Sequence, residues 1–525
     1  MKKIILLYAF IVLYPIYSFS QIQFVQRVEQ PAKQSEDNYI VMPFKAGLLA
    51  FRAQSDRGNF IKRKFQYFLT DQQLNPRDPQ EFELPDYYDM IGYDIDGDNL
   101  YLLLRKASVN KDQIIFKVDL EAGDVNSYKI SSVLAAELQE FFIIDDKAVL
   151  MGTMENRPVV QIYDINLDNV ITLQGIYAND AKIIQMRKDY ELAVFDIVMS
   201  KRDFYKNKII NVLTFDIEGN ILREVKIDRL EDPRMELVEG VLTPPNQYRQ
   251  AMVGPFGLRR KEAFQGFYIS SINEFGEYNN SYFTLEDLPN FYNYLPERIR
   301  KRRVKALEKS IENDKKITIP NVLTTREVIT VGDHFLVYND YLSPSSSRYS
   351  SRDGMYNSGY YYNSPLQRRM SPLHYGMWPG AMPLMTNQNY RQFRYLAAQF
   401  LLLDNRGNII WDNSLSLKNS VLPYESKFGE VSFDGTDLYY MYLDKVELRL
   451  SHISEGEVVM ENESFPIELI EDNERIRDTH ESSLSLMWWY DRYYLLSGKQ
   501  RIRYQNESGR EDSKEVFFIT KIRVD

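Results

Sequence analysis

The chain has 525 residues, of which 44% are hydrophobic and 26% are charged, enough for a large core and too apolar for a chain that is disordered throughout. The formal net charge of -10 argues against a nucleic-acid-binding protein. The 0 cysteines exclude thiolate metal sites, a thiol nucleophile and a lipid anchor on cysteine.

Residues 1–20 have the pattern of a signal peptide. Two lysines follow the first residue, residues 4–14 are apolar, and a small-x-small cleavage site ends at residue 20. We expect cleavage before Gln21, which predicts an exported protein, periplasmic or associated with the outer surface of a bacterial envelope. The alternative is an uncleaved anchor helix, but the apolar run is short and a proline follows it. No later stretch is apolar enough to span a membrane, so we expect at most peripheral membrane contact.

A cassette of strand, acidic or glycine turn, and second strand recurs along residues 21–525. Clear copies start at Phe116, Leu213 and Phe400 and read FKVDLEAGDVNSYKI, LTFDIEGNILREVKI and FLLLDNRGNIIWDNSL. Acidic-glycine turns between alternating apolar residues predict hairpins. A second turn precedes each cassette, as in DIDGDNLYLLL from Asp94, so each unit is predicted to hold four strands over roughly 45–55 residues.

These units resemble the blades of β-propeller repeat proteins, such as the WD40-like and quinoprotein-like groups. The resemblance is architectural, because the Gly-His and Trp-Asp signatures of WD40 blades are absent. It implies an all-β fold, a single eight-bladed propeller spanning 21–525. A two-sheet sandwich array or separate β-domains are the alternatives. The units are predicted near residues 39–87, 90–130, 138–175, 180–228, 232–285, 318–418, 426–470 and 484–525.

Two features decide the number and closure of the blades. The unit at 232–285 is irregular and proline-rich, so seven blades are the alternative to eight. The last unit supplies a third strand but no fourth. We therefore expect a strand at 22–28 to pair with the last blade and close the ring, which would protect both sheet edges.

Two insertions interrupt the period. Residues 286–317 contain a basic helix whose apolar stripe includes Val304, Leu307 and Ile311. Because Arg300 lies in the same stripe, we expect the helix to pack on the propeller rather than lie on an anionic membrane. Residues 341–391 are rich in Tyr, Ser, Pro and Met, which is typical of either an adaptable contact surface or a disordered tether.

Propeller topology sorts the loops between two faces. The loop between the second and third strands of a blade and the link to the next blade leave on one face, here named the connecting face; the hairpin turns leave on the other, the turn face. The turn face receives DIDGD, DLEAGD and SEGE, whereas loops of the connecting face, including a segment from Ser497, are rich in Lys, Arg and Tyr. Candidate binding residues of the connecting face are Lys201, Arg202, Arg259, Arg260, Lys261, Arg300, Arg302, Arg303, Tyr360, Tyr361, Tyr362, Arg368 and Arg369.

Basic groups among aromatic rings suit an anionic partner, either an acidic envelope protein or an anionic glycan. The alternative is a set of solvated loops whose charges keep the protein soluble. The sequence therefore predicts a non-enzymatic scaffold or binding protein of the cell envelope.

Motifs for catalysis, metals and cofactors are weak. Asp94, Asp96 and Asp98 resemble the start of a calcium loop, but Asn99 and Arg105 stand where an EF-hand needs Gly and Glu. No nucleophile elbow, P-loop or dinucleotide fingerprint occurs, so we predict no catalytic residue, metal or cofactor. The 74 acidic residues leave one alternative open, a carbohydrate-active enzyme with a carboxylate pair in the central cleft.

Overall fold

The structure is a computed structural model that describes residues 22–525, except 57–58, 107–111, 131–136, 205–206, 229, 231, 233, 246–248, 259–263, 345–392, 423–426, 472 and 507–508. The signal peptide predicted at 1–20 lies outside the described residues and stays a prediction. The same holds for most of the insertion predicted at 341–391.

Eight antiparallel sheets follow one another along the chain, so the prediction of an eight-bladed propeller is confirmed and the seven-bladed alternative is wrong. Strand β1 (Ile22–Pro31) precedes the first blade. Blade 1 contains β2 (Ile40–Phe44), β3 (Gly47–Asp56), β4 (Asn59–Thr70) and β5 (Gln80–Leu84). Blade 2 contains β6 (Tyr88–Asp96), β7 (Asn99–Lys106), β8 (Gln113–Asp119) and β9 (Val125–Ile130). Blade 3 contains β10 (Glu137–Ile144), β11 (Lys147–Met154), β12 (Arg157–Asp164) and β13 (Asn169–Thr172).

The remaining blades vary the same plan. Blade 4 contains β14 (Lys182–Asp189), β15 (Val194–Arg202), β16 (Lys208–Asp216) and β17 (Ile221–Ile227). Blade 5 contains β18 (Met235–Leu237), β19 (Val241–Leu242), β20 (Gln250–Leu258), β21 (Phe264–Ile272) and β22 (Tyr278–Thr284), and helix α1 (Glu297–Glu312) follows it. Blade 6 contains β23 (Val322–Val331), β24 (His334–Pro344), β25 (Phe393–Asp404) and β26 (Ile409–Leu422). Blade 7 contains β27 (Glu430–Phe433), β28 (Asp437–Asp444), β29 (Glu447–Ser454) and β30 (Glu457–Pro466). Blade 8 contains β31 (Glu474–Thr479), β32 (Ser485–Tyr490), β33 (Tyr493–Gln505) and β34 (Glu511–Val524).

The ring is closed by β1, as predicted from the missing fourth strand of the last unit. Strand β1 pairs antiparallel with β34 and becomes the outer strand of blade 8. The Arg27 side chain extends the closure inward, because Nη2 donates a hydrogen bond to Gln500 Oε1 at 2.8 Å. Its Nε also donates to Glu29 Oε1 at 2.8 Å, and the guanidinium lies 4.2 Å from the centroid of the Phe518 ring.

The glycine of the cassette turn contacts the preceding blade. Gly456, between β29 and β30, has a φ of 85°, and a Cβ built there would lie 2.7 Å from the Trp411 side chain of blade 6. The corresponding glycine of blade 4, Gly219, has Leu173 of blade 3 at 3.0 Å. The cassette therefore sets the packing between blades as well as the turn within one.

Neighbouring blades are linked on the inner side of the ring by side-chain acceptors that bind backbone N–H groups of the next blade. The donor and acceptor pairs are Ile143 N and Asp94 Oδ2 at 2.8 Å, Leu242 N and Gln185 Oε1 at 2.8 Å, Thr325 N and Glu239 Oε1 at 3.0 Å, Phe428 N and Asp340 Oδ2 at 3.2 Å, and Trp488 N and Glu430 Oε2 at 3.3 Å. Because an inner edge strand leaves backbone groups unpaired, these contacts satisfy groups that would otherwise be buried without a partner.

Aromatic side chains fill spaces between neighbouring blades, which gives many of the described Tyr and Phe residues a structural role. Phe51 of blade 1 meets Tyr93 of blade 2 edge to face at 5.0 Å between ring centroids. Tyr338 of blade 6 and Tyr440 of blade 7 are fully buried, with their hydroxyl oxygens 3.0 Å apart. Such pairs bury large apolar areas while their hydroxyl groups stay hydrogen-bonded.

One boundary of the predicted insertions and one residue of the predicted helix stripe need correction. Strand β24 continues to Pro344, so residues 341–344 belong to blade 6, and Tyr341 is buried rather than part of a contact loop. Within α1, Leu307 packs against the core, as expected, but Ile311 is 40% exposed. Ser310 is half-buried instead, because the packed side of the helix is turned by about one residue at its last turn. No helix among the described residues has the length and hydropathy to cross a membrane.

Candidate binding face

The strand order shows where the strands flanking three of the predicted basic segments end, which is on the connecting face. The link from β15 to β16, the link from β22 to β23 that contains α1, and the link from β24 to β25 all start where a second or fourth strand ends. Eight of the predicted binding residues lie outside the described residues, and their role stays a prediction: Arg259, Arg260, Lys261, Tyr360, Tyr361, Tyr362, Arg368 and Arg369.

Lys201 and Arg202 end strand β15 beside blade 5. Nη1 of Arg202 lies 3.5 Å from Oε1 of Glu236, whose side chain is 3% exposed. Arg202 therefore joins blades 4 and 5 in addition to any contact with a partner. Lys201 is half-exposed at the same rim.

The three predicted binding residues of helix α1 differ in their exposure and in their contacts. Arg300 is half-buried, and its Nη1 donates a hydrogen bond to Asn293 Oδ1 at 3.1 Å. Arg302 and Arg303 are exposed. Among the described ion pairs, the only one within α1 joins Lys301 Nζ to Glu297 Oε1 at 2.6 Å. Arg300 thus helps to fix the helix, whereas Arg302 and Arg303 present charge to solvent.

The segment that leads into α1 is anchored on blade 6. Asn290 N lies 3.1 Å from Asp412 Oδ2, and Asn290 Nδ2 donates to the Asp412 carbonyl oxygen at 3.1 Å. Asn293 Nδ2 donates to Asn413 Oδ1 at 3.0 Å. Burial raises the pKa of Asp412 to about 6, against the opposing effect of the Asn290 N–H. The segment before the helix is therefore hydrogen-bonded to strand β26.

Two tyrosines share a core cluster with the helix, because Tyr341 belongs to the cluster against which both Tyr294 and Leu307 pack. The Tyr294 and Tyr341 ring centroids are 5.8 Å apart, and Asn321 Nδ2 donates to the Tyr341 hydroxyl at 3.1 Å. Burial raises the pKa of Tyr341 to about 12, while the charge of Arg303 acts in the opposite direction. Tyr294 and Tyr341 are therefore part of the packing at the base of the propeller side of the helix, not groups presented to a partner.

A cavity of about 300 Å³ lies in blade 8, beside the link from β1 to β2 on the connecting face. Its charged or titratable lining consists of Arg477, Asp478, His480, Lys499, Arg501 and Glu515. None of these is among the residues predicted to bind. The sequence places Lys499 and Arg501 in a basic connecting loop, but both belong to strand β33, which continues to Gln505.

The cavity forms where the first strand of blade 8 is interrupted. Strands β31 and β32 are separated by a short 3-10 turn, Glu481–Ser483. Ser483 Oγ donates to the His480 carbonyl oxygen at 2.6 Å and accepts from Lys499 N at 2.8 Å. Blade 5 has a similar break between β18 and β19, but Glu239 fills it, with its carbonyl oxygen held by the Tyr268 hydroxyl at 2.8 Å.

The electrostatics of the cavity favour an anion. Lys499 is 3% exposed, and burial together with the nearby Arg52 lowers its pKa to about 8, while its Nζ donates to the Glu36 carbonyl oxygen. Nε of Arg501 is 4.0 Å from Glu515 Oε1, the limit of an ion pair. Arg477 is exposed at the edge of the cavity.

Of the three acidic residues of the weak calcium motif, Asp94 and Asp96 bind the next blade, whereas Asp98 is exposed and lies 2.7 Å from Lys45 Nζ. Oδ2 of Asp94 accepts hydrogen bonds from Ile143 N and Lys188 Nζ, and Oδ2 of Asp96 accepts from Asp145 N at 3.0 Å. In the part of the chain that the structure describes, no group of three or more His, Asp or Glu side chains is arranged to hold a metal ion.

Comparison with known proteins identifies no family, because neither a family model nor a curated protein matches the chain. Solved structures with a similar fold include the β-propeller domain of the Trilobed protease from Pyrococcus furiosus, at 9% identity and a TM-score of 0.33, covering 82% of this chain and 98% of that one. The acylaminoacyl peptidase of Pyrococcus horikoshii has 10% identity and a TM-score of 0.33, and covers 81% of this chain and 52% of that one. A europium-containing methanol dehydrogenase has 9% identity and a TM-score of 0.41, and covers 95% and 93%. Likenesses at this level carry no argument about what the chain does.

Proposed function

We propose that the protein is an exported, non-enzymatic binding module of a bacterial cell envelope, which docks an acidic protein or an anionic glycan through its connecting face. The observation that supports this most is the charge of α1 and of the four residues that follow it. Residues 297–316 contain nine basic and four acidic residues in a chain whose formal net charge is -10. Exposed cations in one place attract anionic partners over a distance set by salt screening.

The mounting of α1 supports a binding role over a purely solvating one. The helix is held by Leu307, which packs against the core, by the Arg300 to Asn293 hydrogen bond and by the Asn290 contacts with Asp412. A fixed helix loses less conformational entropy on binding than a flexible basic loop.

The carbohydrate-active enzyme predicted as the alternative gains no support from Asp340 and Asp412, whose pKa values are raised by burial, or from the pair Glu327 and Glu430. Asp340 is fully buried, and Arg326 Nε donates to it at 2.8 Å. Asp412, in the outer strand of blade 6, accepts a hydrogen bond from the Asn290 backbone N–H. Glu327 and Glu430 converge, but Lys427 Nζ lies between them at 2.6 and 3.2 Å. A glycosidase needs one acid placed to protonate the leaving group and a second acting on the sugar.

Charge reversal on α1 tests the proposal. The mature chain and Arg302→Glu/Lys305→Glu are compared for binding to immobilised polygalacturonate and to poly-glutamate over a salt series. The control, Arg77→Glu/Arg406→Glu, makes the same charge change at exposed positions on the turn face. We expect the α1 variant alone to lose most of the low-salt binding. Equal binding by both variants would contradict docking through α1.

Export is tested separately. The mature protein recovered from the envelope fraction of its own cells should begin at Gln21, as measured by intact mass. A chain that keeps its first residues would contradict a cleaved signal peptide.

A further inference from the structure

The cavity of blade 8 is lined mainly by charged and amide side chains, whose polar atoms and methylene groups share its surface. Besides its charged lining it is bordered by Gln34 and Gln500, and Ala32 is its one aliphatic neighbour among the described lining residues. Of these polar side chains only Lys499 and Gln500 are buried, but an apolar ligand would withdraw the others from water without offering them hydrogen bonds, which costs free energy. The lining therefore suits a ligand that is itself covered with hydrogen-bonding groups.

Charged donors and acceptors are both present. Arg477, Lys499 and Arg501 carry positive charge, while Asp478 and Glu515 carry negative charge, so the cavity has one excess cation with His480 neutral. Arginine groups bind carboxylates in a bidentate manner, and carboxylates accept hydrogen bonds from hydroxyl groups. This combination fits one carboxylate and several hydroxyl groups on the same ligand.

One buried atom in the cavity wall has no partner. Among the described residues, no group makes a hydrogen bond with Nδ1 of His480, although the atom is buried. The His480 backbone is fixed, because its N–H donates to the Lys499 carbonyl oxygen at 3.0 Å. Buried polar atoms in native proteins are nearly always paired, so this nitrogen would gain a partner if the His480 ring turned toward a ligand group in the cavity.

We propose that this cavity binds a single uronic-acid-type sugar unit, with its carboxylate on Arg477 and Arg501 and its hydroxyl groups on Asp478 and His480. A volume of about 300 Å³ is at the lower end of ligand pockets, which favours one sugar unit over a longer segment. The inference rests on the proposed function and deepens it, since it makes an anionic glycan, rather than an acidic protein, the partner of the connecting face.

Calorimetric titration of the mature chain with four probes tests the ligand class: galacturonate, its methyl ester, galactose and acetate. We expect galacturonate to bind best, and removal of the carboxylate charge or of the sugar ring to weaken binding about tenfold or more, as for the loss of a charge-assisted hydrogen bond. Tight binding of galactose, binding of acetate equal to that of galacturonate, or no binding of galacturonate would each overturn the proposal.

Two variants on the same strand assign the site. Arg477→Gln should weaken galacturonate binding about tenfold. Arg475→Gln removes the same charge from the same strand β31 and does not line the cavity, so it should bind as the unmodified chain does. Both side chains are exposed, and equal thermal midpoints would show that neither variant is unfolded. Equal galacturonate affinity of the two variants would overturn the assignment.

The two proposals fail in different ways. If Arg302→Glu/Lys305→Glu no longer binds polygalacturonate but still binds galacturonate, α1 docks the polymer and the cavity binds one sugar unit. If the polymer binds but galacturonate does not, the inference about the cavity is wrong while the proposed function stands. If galacturonate binds and the α1 variant captures polymer normally, docking through α1 is wrong while the cavity stands.

Discussion

Lys188 of blade 4 and Asp94 of blade 2 form an ion pair across the innermost strand of blade 3. The two side chains are 0% and 1% exposed. The same ammonium donates to the Ile143 carbonyl oxygen at 3.1 Å, and Asp94 Oδ2 accepts from Ile143 N at 2.8 Å. One pair of charges thus joins three consecutive blades near the axis of the propeller.

Removal of one partner of this pair should be strongly destabilising. In Lys188→Met the Asp94 carboxylate stays buried without its cation, and we expect the free energy of unfolding to fall by about 3–5 kcal/mol. Urea denaturation measures the change. The control, Lys301→Met, breaks the exposed pair with Glu297 and should cost less than about 1 kcal/mol. In Lys188→Met/Asp94→Asn, where the amide oxygen can still accept from Ile143 N, much of the loss should be recovered, and a double variant no better than the single one would contradict this account.

Gly456 offers a test of the packing that the cassette turn imposes. Gly456→Ala places a Cβ 2.7 Å from the Trp411 side chain at a φ of 85°, whereas Gly332→Ala meets open space at a φ of 55°. Backbone strain alone costs about 1–2 kcal/mol, and the clash should add about 1–3 kcal/mol for Gly456 only. Chemical denaturation of the two variants measures the difference. Equal losses of stability in the two variants would mean that the Trp411 side chain of blade 6 moves without cost to accommodate the added methyl group.

Arg27 tests the closure of the ring by β1. Its side chain is 6% exposed and bonds Gln500 and Glu29. Arg27→Ala leaves a buried amide oxygen without its donor, so we expect a loss of about 2–4 kcal/mol. Arg523→Ala, which removes an arginine that is 47% exposed and paired with Asp525, should change stability by less than about 1 kcal/mol. Limited proteolysis near residue 21 should be faster in the Arg27 variant, and equal rates would argue against this role.

The features predicted correctly from the sequence are those with a local physical cause. Alternating apolar residues and αL turns such as the one at Gly456 depend on neighbours in the chain, so eight blades could be counted. The pairing of 22–28 with the last blade followed from counting strands, because an unpaired edge is unfavourable. Composition alone misplaced Tyr341, since the change to Ser and Pro begins before strand β24 ends.

The cavity could not be predicted, because its parts are distant in the chain and its opening depends on a break in one strand. Arg477 and Lys499 belong to β31 and β33, while Gln34 comes from the link after β1. No spacing in the sequence distinguishes the break in blade 8, which leaves a cavity, from the break in blade 5, which Glu239 fills. The Lys188 and Asp94 pair is equally non-local, as each residue lies in an ordinary strand pattern.

Asp412, which binds the segment that leads into α1, should make the stability of the protein depend on pH. Its folded-state pKa, about 6, is above the value of about 3.9 expected when unfolded, so its favourable contribution is full below pH ~4 and is lost as the pH rises through ~6. The unfolding free energy of the unmodified chain minus that of Asp412→Asn should therefore fall by ~2 kcal/mol from pH 4 to pH 7. Asp404→Asn is the control of opposite sign, because hydrogen bonds from Asn408 lower the pKa of Asp404. For that variant the difference should rise with pH, and a flat difference for Asp412→Asn would mean that its carboxylate is solvated in the native state.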